Sequence, residues 1–218
     1  MLKKLSLILC VIIIMTTVFA CSDKTSKTDK FIDGYELYDS PELGFKIQYP
    51  MDWMYLDGGI STEEFNSMVA DVFGQNAADL FDELGADPSS VTVMWYDFQK
   101  ASDVFVPNAN VVINDSGGIK QNDFKSPTNL KDFQKEFDDY YPTLFDGFKS
   151  GGITGKSLGN NYFAIYKFDC TINNTQSLSC YQAMTEKNGL IYIFTYTTQG
   201  GKLDDATYEK MLSTLVFY

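Results

Sequence analysis

The chain has 218 residues, 17 basic against 29 acidic, for a net charge of −12. Every basic residue is lysine; there is no arginine and no histidine. This excludes bidentate arginine recognition of phosphate and every mechanism that needs an imidazole, including Ser-His-Asp triads and histidine-ligated zinc, and it leaves no basic face for nucleic acid.

Lys3 and Lys4 precede an apolar run from Leu5 to Ala20, and Cys21 follows. A charged start, an apolar stretch and a small residue before a cut site are the parts of a secretory signal. The run holds 16 residues, short of the roughly 20 that a membrane-spanning helix needs. Val18-Phe19-Ala20-Cys21 resembles the lipobox of bacterial lipoproteins. That resemblance implies cleavage after residue 20, lipid on Cys21 and a place on the extracytoplasmic face of the cell membrane. One acyl chain binds a membrane only marginally; the implied modification puts at least two on Cys21. Removing residues 1–20 leaves 198 residues with 15 lysines against 29 acidic groups, a charge of −14. The expected organisation is a signal over 1–20, a lipidated cysteine and polar tether over 21–33, and one domain over 34–218, long enough to bury a substantial core.

Within that domain, residues 35–38 and 44–49 alternate as strands around a Ser40-Pro41-Glu42 turn. Ser61-Thr-Glu-Glu64 is a capping box that opens a helical stretch, interrupted at Gly74 and running to Leu84. Strands are expected over 91–98 and 110–114, and an amphipathic helix over 128–137, extending toward Tyr141. Residues 150–161 read as a glycine-rich loop. A meander follows over 162–170, 180–187 and 190–198, with Asn188-Gly189 as a two-residue hairpin turn. That turn sets Ala183 opposite Phe194 and Met184 opposite Ile193. Pairing Cys170 with Cys180 then puts Tyr166 beside Met184. Tyr166, Met184 and Ile193 share one face; Ile165, Ala183, Tyr192 and Phe194 share the other. Both faces are apolar, so both require cover. A last helix over 205–215 turns Tyr208, Met211, Leu212 and Leu215 inward.

The segment Tyr38-Asp-Ser-Pro-Glu-Leu-Gly-Phe-Lys-Ile-Gln-Tyr-Pro-Met-Asp-Trp53 resembles the opening of PsbP-like (Mog1/PsbP-type) domains, with their Gly-Phe-x-Ile-x-Tyr-Pro-x-x-Trp pattern. Asn108 to Ile113 is similar to their central strand. The resemblance implies an α+β fold, an antiparallel sheet sandwiched between helices as α/β/α. Tyr49, Pro50 and Trp53 then form a strand-ending corner packed on the core. The motif is structural, and no functional residue of that diverse family is carried over.

Candidate chemistry is sparse. Gly155-Lys156-Ser157-Leu158-Gly159 matches a nucleophile elbow, but no histidine exists to take the serine proton and a strand follows. The same stretch nearly matches a phosphate loop, with Ser150 in place of the first glycine, yet no helix N-terminus follows it. A nucleotide is therefore not expected. Acidic clusters at Asp79, Asp82 and Glu83, at Asp138 and Asp139, and at Asp204 and Asp205 have oxygen donors for calcium but not the spacing of a calcium loop. Cys170 and Cys180 form an even pair in an extracytoplasmic setting. They suit either a disulfide worth about 2–3 kcal/mol by chain entropy or two reduced core thiols; redox catalysis lacks a C-x-x-C spacing. No catalytic residue, cofactor or metal ligand is assigned.

The function expected is non-enzymatic: an extracytoplasmic lipoprotein that binds or helps assemble another envelope protein. The alternatives are a receptor for a small solute or metal ion, and a hydrolase working with carboxylates. A wide apolar pocket favours the solute receptor, two close buried carboxylates the hydrolase, and a flat aromatic patch the protein binder.

Overall fold

The computed structural model describes residues 31–57, 63, 67, 92–102, 105–172 and 176–218. The lipobox with Cys21, the tether before residue 31, almost all of the helical stretch expected over 61–84, and Asp79, Asp82 and Glu83 lie outside the described residues.

The described residues form an α+β fold with antiparallel sheets and two α-helices. The strands are β1 (Tyr35–Ser40), β2 (Phe45–Pro50), β3 (Met54–Asp57), β4 (Val93–Tyr96), β5 (Asn108–Asp115), β6 (Asp146–Leu158), β7 (Asn161–Ile172), β8 (Gln176–Lys187), β9 (Leu190–Gln199) and β10 (Val216–Phe217). Helix α1 is Pro127–Tyr140 and helix α2 is Asp205–Ser213. A three-stranded sheet runs β1-β2-β10, and a seven-stranded sheet runs β3-β4-β5-β9-β8-β7-β6.

Local chemistry sets the turns. Gly44 closes the β1–β2 turn at φ +79, and a Cβ there would stand 2.9 Å from the Tyr192 hydroxyl. The corner after β2 packs inward as the motif implies: Tyr49 and Trp53 are buried, and Trp53 stacks on Tyr196 with ring centres 5.8 Å apart. Asn188 and Gly189 take φ of 55 and 85, the two positive values that a tight hairpin needs. The β8–β9 register follows, with Ala183 opposite Phe194 and Met184 opposite Ile193.

The β7–β8 register differs from the expected one. Cys180 lies opposite Phe168 and Cys170 opposite Leu178, so the two cysteines are diagonal neighbours. The shift is two residues, one full side-chain period, and each residue keeps its face. The longer strands that meet at residues 172 and 176 set this register, where the sequence offered no turn signal to fix it.

Residues 150–161 also correct the expectation. Residues 150–158 belong to a 13-residue edge strand, β6 (Asp146–Leu158), 159–160 form the turn into β7, and β6 has register breaks between Asp146 and Lys149 and between Ser150 and Ile153. Gly147 and Gly152 have positive φ at these breaks, as bulges on an edge allow. Glycine content suggested a loop, but here it serves close approach. A Cβ at Gly155 would meet the Phe124 carbonyl at 2.9 Å, and one at Gly159 the Ser213 carbonyl at 2.0 Å.

Two cores sit on the two faces of the seven-stranded sheet. On one face the small sheet and α2 pack against it: Phe45 lies 5.9 Å from Phe194, and Tyr208 of α2 lies 5.1 Å from both Tyr181 and Tyr196. Tyr208, Met211, Leu212 and Leu215 all face in. Part of this layer is therefore sheet, beside the expected helix. On the other face, Phe133 and Phe137 of α1 pack with Phe124, Tyr166 and Phe168.

Candidate functional site

Ser126 starts α1 by accepting a hydrogen bond from the Asn129 N–H at 3.3 Å, with Pro127 in the first turn, where its missing N–H costs nothing. Phe133 and Phe137, one turn apart, face the sheet. Pro142 cannot continue the helical ladder, and the chain tightens into a short 3-10 turn over Tyr141–Thr143. This stop leaves the helix over the β6–β7 side of its face. Between the end of α1 and strands β5, β9 and β8 lies a cleft of about 320 Å³.

The helical wall of the cleft is Phe137, Tyr140, Tyr141, Leu144 and Phe145; the floor includes Val112, Gln182, Met184, Ile193 and Thr195. Leu144 is 54% exposed at the rim. Tyr141 is the structural centre of the wall, with the rings of Phe137, Phe145, Tyr166 and Phe168 all within 6 Å of its own. Its hydroxyl donates to Gln182 Oε1 at 2.7 Å, and Gln182 Nε2 donates to Thr195 Oγ1 at 3.3 Å. Burial holds the Tyr141 phenol well above its ordinary value of 10.0, so it remains a donor. The cleft thus combines apolar walls with a short line of amide and hydroxyl groups on its floor, the usual make-up of a small-molecule site.

Both Cys170 and Cys180 line this cleft as buried free thiols. They are diagonal neighbours on one face of the sheet; hydrogen bonding to Cys180 holds the Cys170 thiol below its ordinary value despite burial, and the same interaction with burial pushes Cys180 well above it. Thr197 Oγ1 lies 3.9 Å from Cys180 Sγ.

The other sequence candidates have local partners. Asp138 accepts from the Tyr166 hydroxyl at 2.5 Å and from Gln134 at 3.2 Å, and Asp139 pairs with Lys135 at 2.5 Å. Asp204 caps α2 through the Thr207 N–H at 3.1 Å and also binds Lys100. Asp205 pairs with Lys167. Among the described residues no three acidic or cysteine side chains converge as metal ligands. Ser157 sits in β6 with a strand after it, which is not the geometry of an elbow. Tyr141 is buried in the cleft wall. Gln182 and Thr195 are cross-strand partners in the register that Asn188-Gly189 sets; Leu144 carried no sequence signal, and the position where α1 stops brings it over them.

The fold and cleft define a mixed α+β module with an apolar recess over an antiparallel sheet. No protein-family model matches the chain, and no curated protein does. Among solved structures, cyanobacterial PsbP (CyanoP) from Synechocystis is 14% identical, with 89% of this chain and 98% of that one covered and a TM-score of 0.49. LpqN, involved in cell envelope biogenesis of Mycobacterium tuberculosis, is 14% identical over 83% of this chain and 80% of that one, at 0.41. A Bacteroides thetaiotaomicron protein is 12% identical over 85% of this chain, at 0.49; this chain spans about half the length of that one, 49%. Similarities at this level transfer no function.

Proposed function

We propose that this chain is a membrane-tethered, non-catalytic binding protein on the extracytoplasmic face, and that its cleft accepts a small, largely apolar guest with one polar end. The observation that carries the reading is the cleft itself: about 320 Å³ of concave, aromatic-walled space with Gln182 and Thr195 on its floor. Concavity of this kind favours the solute receptor over the flat-patch protein binder. The tether is the lipid implied at Cys21, held at a distance by the polar residues that follow. The test is titration of the full chain in detergent with an environment-sensitive apolar dye, read as saturable enhancement that a long-chain fatty acid displaces. Non-saturable dye uptake, equal in a Leu144→Asp variant, overturns the guest reading. Membrane fractionation of Cys21→Ser tests the tether: release or an uncut precursor supports it, and unchanged fractionation overturns it.

The exposed Leu144 at the rim also favours a second reading, in which the cleft binds or helps assemble another envelope protein through an inserted apolar side chain. Crosslinking in intact cells separates the two. One enriched envelope protein, lost in Leu144→Asp, supports this reading; none at any crosslinker length overturns it.

A further inference from the structure

Cys170 and Cys180 are the two reactive groups of the cleft, and their placement differs from that of a built-in bridge. Cysteines meant to be permanently joined across strands face each other with Cβ atoms about 3.5–4.5 Å apart. These two are offset by two residues in register, and diagonal neighbours of that kind stand roughly 7 Å apart. Both nevertheless share one face of the sheet and line the same cleft beside the end of α1. Joining them therefore requires the strands to shift, and strained bridges of that sort are readily reduced again.

We propose that Cys170 and Cys180 form a reversible dithiol–disulfide pair in the cleft wall, which exchanges with small disulfides that enter through the cleft. In the first step the Cys170 thiolate attacks one sulfur of a small disulfide. A new S–S bond forms to Cys170, the old one breaks, and the departing thiolate takes up the proton Cys170 has lost. In the second step Cys180 loses its proton and attacks Cys170 Sγ. The intrachain bond forms, the mixed disulfide breaks, and a second small thiol leaves with that proton. Two protein thiols are oxidised and one small disulfide is reduced to two thiols. Cys170 leads because the hydrogen bond from Cys180 stabilises its thiolate, whereas Cys180 stays protonated until the mixed disulfide lies against it. The proposal does not rest on what the cleft binds.

The test equilibrates the full chain in detergent with 2-hydroxyethyl disulfide and mercaptoethanol at a series of ratios, then acid-quenches, alkylates and maps residues 170 and 180 by mass spectrometry. The expected result is a fall from two alkylated thiols to none in a single transition, fully reversed by excess thiol. Cys170→Ser and Cys180→Ser each stop at one mixed disulfide or one unreacted thiol, with no loss of a second group. Two thiols alkylated at every ratio, or reaction only after urea is added, overturns the proposal. So does independent capping of both residues by mercaptoethanol. Near-UV circular dichroism establishes that the serine variants fold; if they do not, the wild-type thiol count alone decides.

Discussion

Tyr141 and Gln182 stand 41 residues apart in sequence, and the phenol of the first donates to the amide oxygen of the second at 2.7 Å. This bond fastens the end of α1 to the middle of the large sheet and fixes one wall of the cleft. Tyr141→Phe keeps the ring and loses the bond, at an expected cost of about 1 kcal/mol. Tyr141→Ala also loses ring packing and should cost about 3–5 kcal/mol. Urea unfolding of both variants checks this; equal losses would mean that the hydroxyl, not the ring, holds the wall.

Gly159 carries two constraints at once: a φ of +57 and a Ser213 carbonyl 2.0 Å from where a Cβ would sit. Gly201 has the positive φ, +74, with nothing within 4 Å. Gly159→Ala should therefore cost more than Gly201→Ala, which isolates backbone strain at about 1 kcal/mol. Thermal melts of the pair measure the difference. Equal melting temperatures would show that the turn relaxes away from α2.

Asp204 caps α2, and its carboxyl is held below its ordinary 3.8: partial burial opposes this, but the Thr207 and Lys100 hydrogen bonds outweigh it. A carboxyl with a lowered folded-state value stabilises fully above its unfolded value and loses that contribution as pH falls through the lowered one. Asp204→Ala should thus cost about 1 kcal/mol at neutral pH. The gap between variant and parent should close as pH falls below the ordinary carboxyl value of 3.8 and through the lowered one. A gap of constant size across that range would show that the cap does not titrate.

Leu144 is more than half exposed, so Leu144→Asp should change stability by no more than about 0.5 kcal/mol. At the rim of the cleft it should still weaken apolar dye binding by at least tenfold. Unfolding curves and dye titrations on the same preparation check both halves.

Much of the fold was legible in the sequence because its signals are local. Asn188-Gly189 determines a register that reaches Ala183 and Phe194, and the spacing of Tyr208, Met211, Leu212 and Leu215 marks the inward face of α2. The glycine-rich stretch misled because glycine marks both loops and close packing; only the neighbours of Gly155 and Gly159 tell which. The β7–β8 register was off by one side-chain period because no turn motif fixes it, and face assignments survive that error. Of the cleft, the pairing of its floor was legible, Met184 with Ile193 and Gln182 with Thr195, but the wall over it was not. It depends on where Pro142 halts a helix relative to strands far away in sequence, a distance that no spacing encodes.

The breaks in β6 have a consequence for how copies of this protein would share a membrane. A lipid at Cys21 would confine them to a plane, where neighbours collide far more often than in solution. A straight outer strand of 13 residues would be an invitation for one copy to extend the sheet of the next. The kinks at Gly147 and Gly152 interrupt the row of backbone donors and acceptors, so crowding at the surface need not become polymerisation.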